Sequence, residues 1–115
     1  MTVTIYHNPR CSKSRATMEF LEEKGIEAKI IKYMDTPPDE ATLKELLAML
    51  GMTPRELMRK HEAVFKDAGL DDPTFTDEEL IEAMAQCPSL MERPIVVNNG
   101  KAVLARPPEA VLDIL

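Results

Sequence analysis

Cys11 is the residue of this chain whose surroundings best fit a chemical role. His7 lies four residues before it, Arg10 beside it, and Lys13 and Arg15 just after it. Positive neighbours lower a thiol pKa and populate the thiolate, the nucleophilic form of cysteine. The sulfur also sits where a loop is expected to turn into a helix. There the unpaired amides of Ser12, Lys13 and Ser14, with the helix dipole, favour a negative charge. The hydroxyls of Ser12 and Ser14 can donate hydrogen bonds to sulfur or to a bound anion. A small buried packing residue is the commoner use of cysteine, but packing gives no reason for four potentially cationic neighbours.

The Cys11-Ser12-Lys13-Ser14 segment lacks the second cysteine of a Cys-x-x-Cys pair, so no disulfide joins positions 11 and 14. Cys11 therefore needs a thiol from outside the chain or from Cys87. Cys87 falls near the end of an expected helix, just before Pro88, where the dipole disfavours a thiolate; packing is its expected role. A tyrosine-phosphatase-type loop would carry arginine six residues after the cysteine, and Thr17 stands there. Two cysteines and two histidines at wide spacing do not make a zinc site, and no metal is expected. His61 reads as a solvent-facing or helix-end residue.

Three arginines add an anion-binding possibility. Arg93 precedes Pro94 and Arg106 precedes Pro107, each at the end of an expected strand. Arg59 is expected on a helix. Singly, each is most often a solvated surface charge. Together with Cys11 they form a candidate oxyanion cage, because the planar guanidinium fork matches a tetrahedral oxyanion in bidentate fashion and lysine does not.

The elements that must position these groups follow from periodicity and punctuation. Residues 2–6 alternate and read as a strand, with His7 to Cys11 as a loop. Residues 12–24 read as a helix with Ala16, Phe20 and Leu21 on one face and Gly25 as its stop. Residues 27–33 read as a second strand. Thr36-Pro37-Pro38 opens a helix carrying Leu43, Leu46, Leu47 and Leu50, closed at Gly51. Thr53 with Glu56, and Thr76 with Glu79, are capping boxes, so both glutamates are expected as caps rather than catalytic acids. A short helix is expected at 61–68. Residues 94–97 and 101–105 are strands joined at Asn99-Gly100, a strong two-residue hairpin turn. A final helix is expected at 109–115.

The order β-α-β, several helices, β-β-α predicts an α/β fold. Its first unit implies a parallel strand pair and its last an antiparallel hairpin. The expectation is a thioredoxin-like mixed four-stranded sheet flanked by helices, forming one domain over 1–115 with a helical insertion at about 38–88. Such folds carry a redox thiol after the first strand and a cis proline opposite it, which makes a cis Arg93-Pro94 bond plausible.

Composition narrows the function classes. Fourteen Lys+Arg against twenty Asp+Glu give a formal net charge of −6, which argues against a general nucleic-acid binder. No apolar run approaches membrane-spanning length, and the N-terminus does not read as a signal peptide. A reducing cytoplasm is the expected workplace, where a thiol serves chemistry rather than a structural disulfide.

The motifs His7-Asn8-Pro9-x-Cys11-x-x-Ser14-Arg15, Leu57-x-Arg59-Lys60, Arg93-Pro94-Ile95-Val96-Val97 and Arg106-Pro107 resemble the glutaredoxin-coupled arsenate reductases. The resemblance runs from Thr4 to Leu115. It implies a thioredoxin-like enzyme in which Cys11 attacks arsenate. Arg59, Arg93 and Arg106 match the arginines that hold the oxyanion, and His7 and Ser14 match residues that tune and orient the thiolate. In the implied cycle Cys11 displaces water to form a thiol–arsenate adduct. Glutathione attacks and arsenic becomes trivalent; glutaredoxin removes the glutathionyl group, and arsenite leaves. Glutathione is thus a co-substrate, glutaredoxin a partner, and no tightly bound cofactor is implied. Arg10, Ser12 and Lys13 depart from the family loop, where small or neutral residues are common. Two alternatives remain: a thiol oxidoreductase of the same fold acting on another substrate, and a redox regulator that binds RNA polymerase. The regulator branch typically uses Cys-x-x-Cys, which Ser14 removes.

Overall fold

Strand β1 (Val3–His7) buries Val3 and Ile5 in a cluster with Leu21, Val96, Ala105 and Val111. This cluster organises the first of two compact units in the computed structural model, which describes residues 3–115; Thr2, expected at the start of the first strand, lies outside them. One unit comprises the chain as far as Thr36 together with Arg93–Leu115; the other is Pro37–Glu92.

In the first unit β1 is followed by helix α1 (Ser12–Glu23) and strand β2 (Ala28–Lys32). Strands β3 (Ile95–Asn98) and β4 (Lys101–Leu104) complete a four-stranded sheet of order β2-β1-β3-β4. β1 pairs parallel with β2, placing Ile5 beside Ile30, and antiparallel with β3, placing Ile5 beside Val96. The β3–β4 pair is antiparallel, with Val96 beside Val103. This is the expected α/β mixed sheet. The hairpin turn is as read: Asn99 and Gly100 both have positive φ, 53° and 76°, the requirement of a two-residue type I′ turn.

Helix α1 ends at a Schellman motif. The Gly25 amide donates to the Glu22 carbonyl and the Ile26 amide to the Leu21 carbonyl, with Gly25 at φ 70°. Its inward face differs from expectation. Ser14, Thr17 and Leu21 are buried, whereas Ala16 is exposed and Phe20 half-buried. Two hydroxyl residues are tolerated inside because each has hydrogen-bond partners: Thr17 Oγ1 lies 3.1 Å from the Lys13 carbonyl and 3.4 Å from that of Ala105. The C-terminal segment also departs from expectation, forming a 3-10 helix (Pro108–Ile114) rather than an α-helix. It begins directly on the Pro107-Pro108 pair, and Asn98 Nδ2 holds the Ile114 carbonyl at 2.8 Å.

The second unit contains α2 (Glu40–Leu50), α3 (Pro54–Leu57), α4 (Ala63–Asp67) and α5 (Asp77–Gln86), then a 3-10 turn at Pro88–Leu90. Leu43, Leu46 and Leu47 of α2 are buried, as are Leu80, Ile81 and Met84 of α5. Both expected capping boxes form: Thr53 with Glu56, and Thr76 with Glu79. The short helix expected at 61–68 is confined to Ala63–Asp67. Among the described residues no helix is long and apolar enough to cross a membrane.

Candidate functional site

β1 runs one residue further than expected, which places His7 inside the strand and largely buried, not in the loop. The chain then turns through Asn8-Pro9-Arg10 into α1. Asn8 Oδ1 accepts from the Arg10 amide at 3.0 Å, and the Cys11 amide donates to the Asn8 carbonyl at 3.0 Å. Arg15 Nη1 donates to the Pro9 carbonyl at 3.1 Å. These bonds deliver Cys11 to the N-cap of α1 in an extended conformation.

Three influences act on the Cys11 sulfur. Partial burial raises its pKa. The Ser14 and Lys13 amides and the Arg93 guanidinium, through charge and hydrogen bonding, outweigh this and hold the thiol below its ordinary value. The sequence anticipated the amides. It also grouped Arg93 with Cys11 in the candidate oxyanion cage, but credited the lowered thiol pKa to His7, Arg10, Lys13 and Arg15 rather than to Arg93. The Arg93 Nε and Nη1 atoms are buried without a hydrogen-bond partner in the protein. A buried guanidinium with unused donors is costly unless an anion meets it. Arg106, on the strand side, donates from Nε to the Arg93 carbonyl at 2.8 Å. Both arginines precede cis prolines, Pro94 and Pro107.

His7 and Ser14 are in direct contact: His7 Nδ1 lies 2.6 Å from Ser14 Oγ. Ser14 is fully buried and its Oγ also accepts from the Asn8 amide at 3.0 Å. Burial lowers the His7 pKa, and the charges of Lys32 and Arg15 lower it further. His7 is therefore a neutral hydrogen-bonding group near neutral pH, not one of the cations around the thiol. The sequence offers one cue to this, its place after an alternating apolar run.

Arg59 belongs to the other unit and is not on a helix. Helix α3 stops after Leu57 because Met58 is extended and bridges Met91, while the Arg59 amide donates to the Leu90 carbonyl at 2.7 Å. Its guanidinium pairs with Glu62, and its Nε lies 3.7 Å from Glu92. Cys87 caps the C-terminal end of α5. No cluster of three His, Cys, Asp or Glu side chains suited to a metal ion exists among the described residues.

Residues 6–114 match the ArsC family. The chain belongs to the ArsC family. It is 55% identical to the uncharacterized protein YfgD of Escherichia coli, over 98% of this chain and 96% of that one. It is 47% identical to an arsenate reductase of Neisseria meningitidis, over 98% of this chain and 97% of that one. Among solved structures, an arsenate reductase from Vibrio cholerae superposes with a TM-score of 0.97 at 50% identity, covering 100% of this chain and 98% of the other. The ArsC fold thus accounts for the mixed sheet, the cysteine at the start of α1 and the helices between β2 and β3.

Proposed function

We propose that this ArsC-family protein reduces arsenate to arsenite through Cys11, with glutathione and glutaredoxin as thiol donors in a reducing cytoplasm. The observation that carries the reading is the Arg93 guanidinium: it stabilises the Cys11 thiolate while its Nε and Nη1 remain buried and unpartnered. A thiolate and a bound oxyanion share negative charge, and preorganised cations offset the charge that builds up when one attacks the other. The Arg106 guanidinium, tied to the Arg93 backbone, belongs to the same arrangement. Arg59 enters the proposal on the resemblance alone.

In this reading the Cys11 thiolate attacks arsenic, and one arsenate oxygen leaves as water. The glutathione thiol adds next, releasing a second water and forming an arsenic–sulfur bond. A glutaredoxin thiolate attacks the glutathione sulfur. The electron pair of the breaking arsenic–sulfur bond stays on arsenic, which passes from the pentavalent to the trivalent state. Water cleaves the Cys11–arsenic bond, releasing arsenite and regenerating the thiol. The net change consumes arsenate and two thiols, and yields arsenite, one mixed disulfide and one water. Ser14 and neutral His7 position the first turn of α1 rather than supplying charge.

The deciding experiment measures arsenite formed from arsenate with glutathione plus glutaredoxin, beside the same assay with thioredoxin. Activity with glutaredoxin that Cys11→Ser abolishes is the expected result. Undiminished activity in Cys11→Ser, or activity only with thioredoxin, overturns the proposal.

A further inference from the structure

Thr17 lies in the second turn of α1 and is fully buried. A hydroxyl has one proton to donate, yet two carbonyls face its Oγ1. The Lys13 carbonyl, one turn earlier in the same helix, is 3.1 Å away. The Ala105 carbonyl, 88 positions later in the chain, is 3.4 Å away. The first contact is the common return of a helical threonine to the carbonyl four residues back. The second is not local. Ala105 follows β4, and its amide donates to the Pro94 carbonyl at 3.0 Å. Both backbone groups of Ala105 are thus engaged, the carbonyl by Thr17 and the amide by Pro94. The next residue is Arg106, whose Nε donates to the Arg93 carbonyl at 2.8 Å. Hydrogen bonds therefore link the helix that starts at the thiol to the Arg93-Pro94 and Ala105-Arg106 segments, and Thr17 is where that path leaves the helix.

We propose that Thr17 is a positioning residue: its hydroxyl, by holding the Ala105 carbonyl, fixes where the Arg93-Pro94 and Ala105-Arg106 segments stand against the Cys11 end of α1. Apolar packing alone does not do this. Leu21, one turn further along α1, shares a buried cluster with Ala105 and Val111 and holds the helix to the sheet. That attraction is non-directional. A hydroxyl buried there costs free energy unless it is bonded, and its bond supplies the direction that packing lacks. The Arg93 guanidinium acts on the Cys11 sulfur through charge and hydrogen bonding, and both weaken as the two segments separate. The Ser14 and Lys13 amides belong to the same helix turn as the sulfur and do not depend on Ala105. The hydroxyl of Thr17 therefore bears on the part of the thiol environment that comes from the far end of the chain. Its consequence for turnover rests on the proposed arsenate chemistry; its effect on the sulfur does not.

The test compares Thr17→Val, which keeps the shape and loses the hydroxyl, with Thr17→Ser, which keeps the hydroxyl and loses a methyl. Iodoacetamide alkylation across pH, followed by mass spectrometry on the peptide that carries Cys11, gives the ionisation midpoint of that thiol in the folded chain. Thr17→Val is expected to raise the midpoint by about 0.5 pH unit, about a threefold loss of thiolate at a pH below it. Thr17→Ser should restore the wild-type midpoint. On an Arg93→Met background Thr17→Val should shift the midpoint much less, because the effect runs through that guanidinium. Should valine prevent folding, Thr17→Ala, a better helix former, takes its place with the same expected shift. An unmoved midpoint in the variant without the hydroxyl, equal shifts in valine and serine variants, or an undiminished shift on the Arg93→Met background each overturn the positioning role. In the arsenite assay Thr17→Val should lower kcat/KM for arsenate about threefold. A wild type that reduces no arsenate, with the midpoint shifts as expected, upholds the positioning role and sinks the arsenate reading instead.

Discussion

The Arg106 side chain is anchored on the backbone of Arg93: Nε donates to the Arg93 carbonyl at 2.8 Å. The residue beside the thiol thereby fixes the aim of a second guanidinium thirteen positions later. Lysine at 106 keeps the charge but loses this directed donor and the planar fork. Arg106→Lys is expected to lower kcat/KM for arsenate about tenfold, and Arg93→Lys about a hundredfold, the scale of losing a preorganised donor. Lys101→Ala, on β4, serves as the comparison and should change neither constant. Equal losses in all three would refute a directed cage.

Alkylation of Cys11 by iodoacetamide across pH reads the thiolate fraction directly. Wild type is expected to titrate below the ordinary thiol value, because the Ser14 and Lys13 amides and Arg93 outweigh burial. Arg93→Met removes the charge and should move the midpoint upward. Because the folded value is depressed, ionised Cys11 stabilises the fold fully above the ordinary thiol pKa. That contribution is lost as pH falls through the folded value. A midpoint in Arg93→Met equal to that of wild type would show that the amides act alone.

Ser14 Oγ meets both His7 Nδ1 and the Asn8 amide inside the protein. Alanine leaves two polar groups without that partner, and such a loss costs about 1–3 kcal/mol. Urea unfolding of Ser14→Ala should show a decrease in that range. Ser12→Ala, at an exposed position, should stay within about 0.5 kcal/mol. Identical midpoints for the two variants would remove Ser14 from its positioning role.

His7 has the opposite proton preference to a cationic neighbour of a thiol. Its lowered pKa means that the unfolded chain takes up the His7 proton first. The His7 contribution is complete above the ordinary histidine value, about 6.5, and falls away as pH drops through the lower folded value. In His7→Gln the unfolding free energy should lose that slope on the acid side, measured by urea titrations at a series of pH values. A slope the same as wild type would mean that His7 titrates normally.

The strand and helix plan, the Asn99-Gly100 turn and both capping boxes were legible because each depends on residues within a few positions of one another. The Cys11 environment was legible in part: the helix amides are local, but Arg93 comes from the other end of the chain. His7 was misplaced into the loop because its polarity masks the continuation of a buried strand. The inward face of α1 was misread for a related reason. Ser14 and Thr17 look solvent-facing by type, and only partners outside their own turn, Asn8 and His7 for one and the Ala105 carbonyl for the other, make their burial affordable. Arg59 was assigned to a helix because sequence cannot show the Met58–Met91 bridge that ends α3.

Cys11 holds the N-cap of α1, yet no neutral side-chain bond closes that end of the helix. The Ser14 and Lys13 amides of that first turn favour a charged sulfur instead. A reagent, oxidant or substrate that takes up that charge is expected to loosen the end of the helix. Local breathing of residues 11–15, followed by amide exchange, therefore doubles as a gauge of whether the sulfur is bare or occupied.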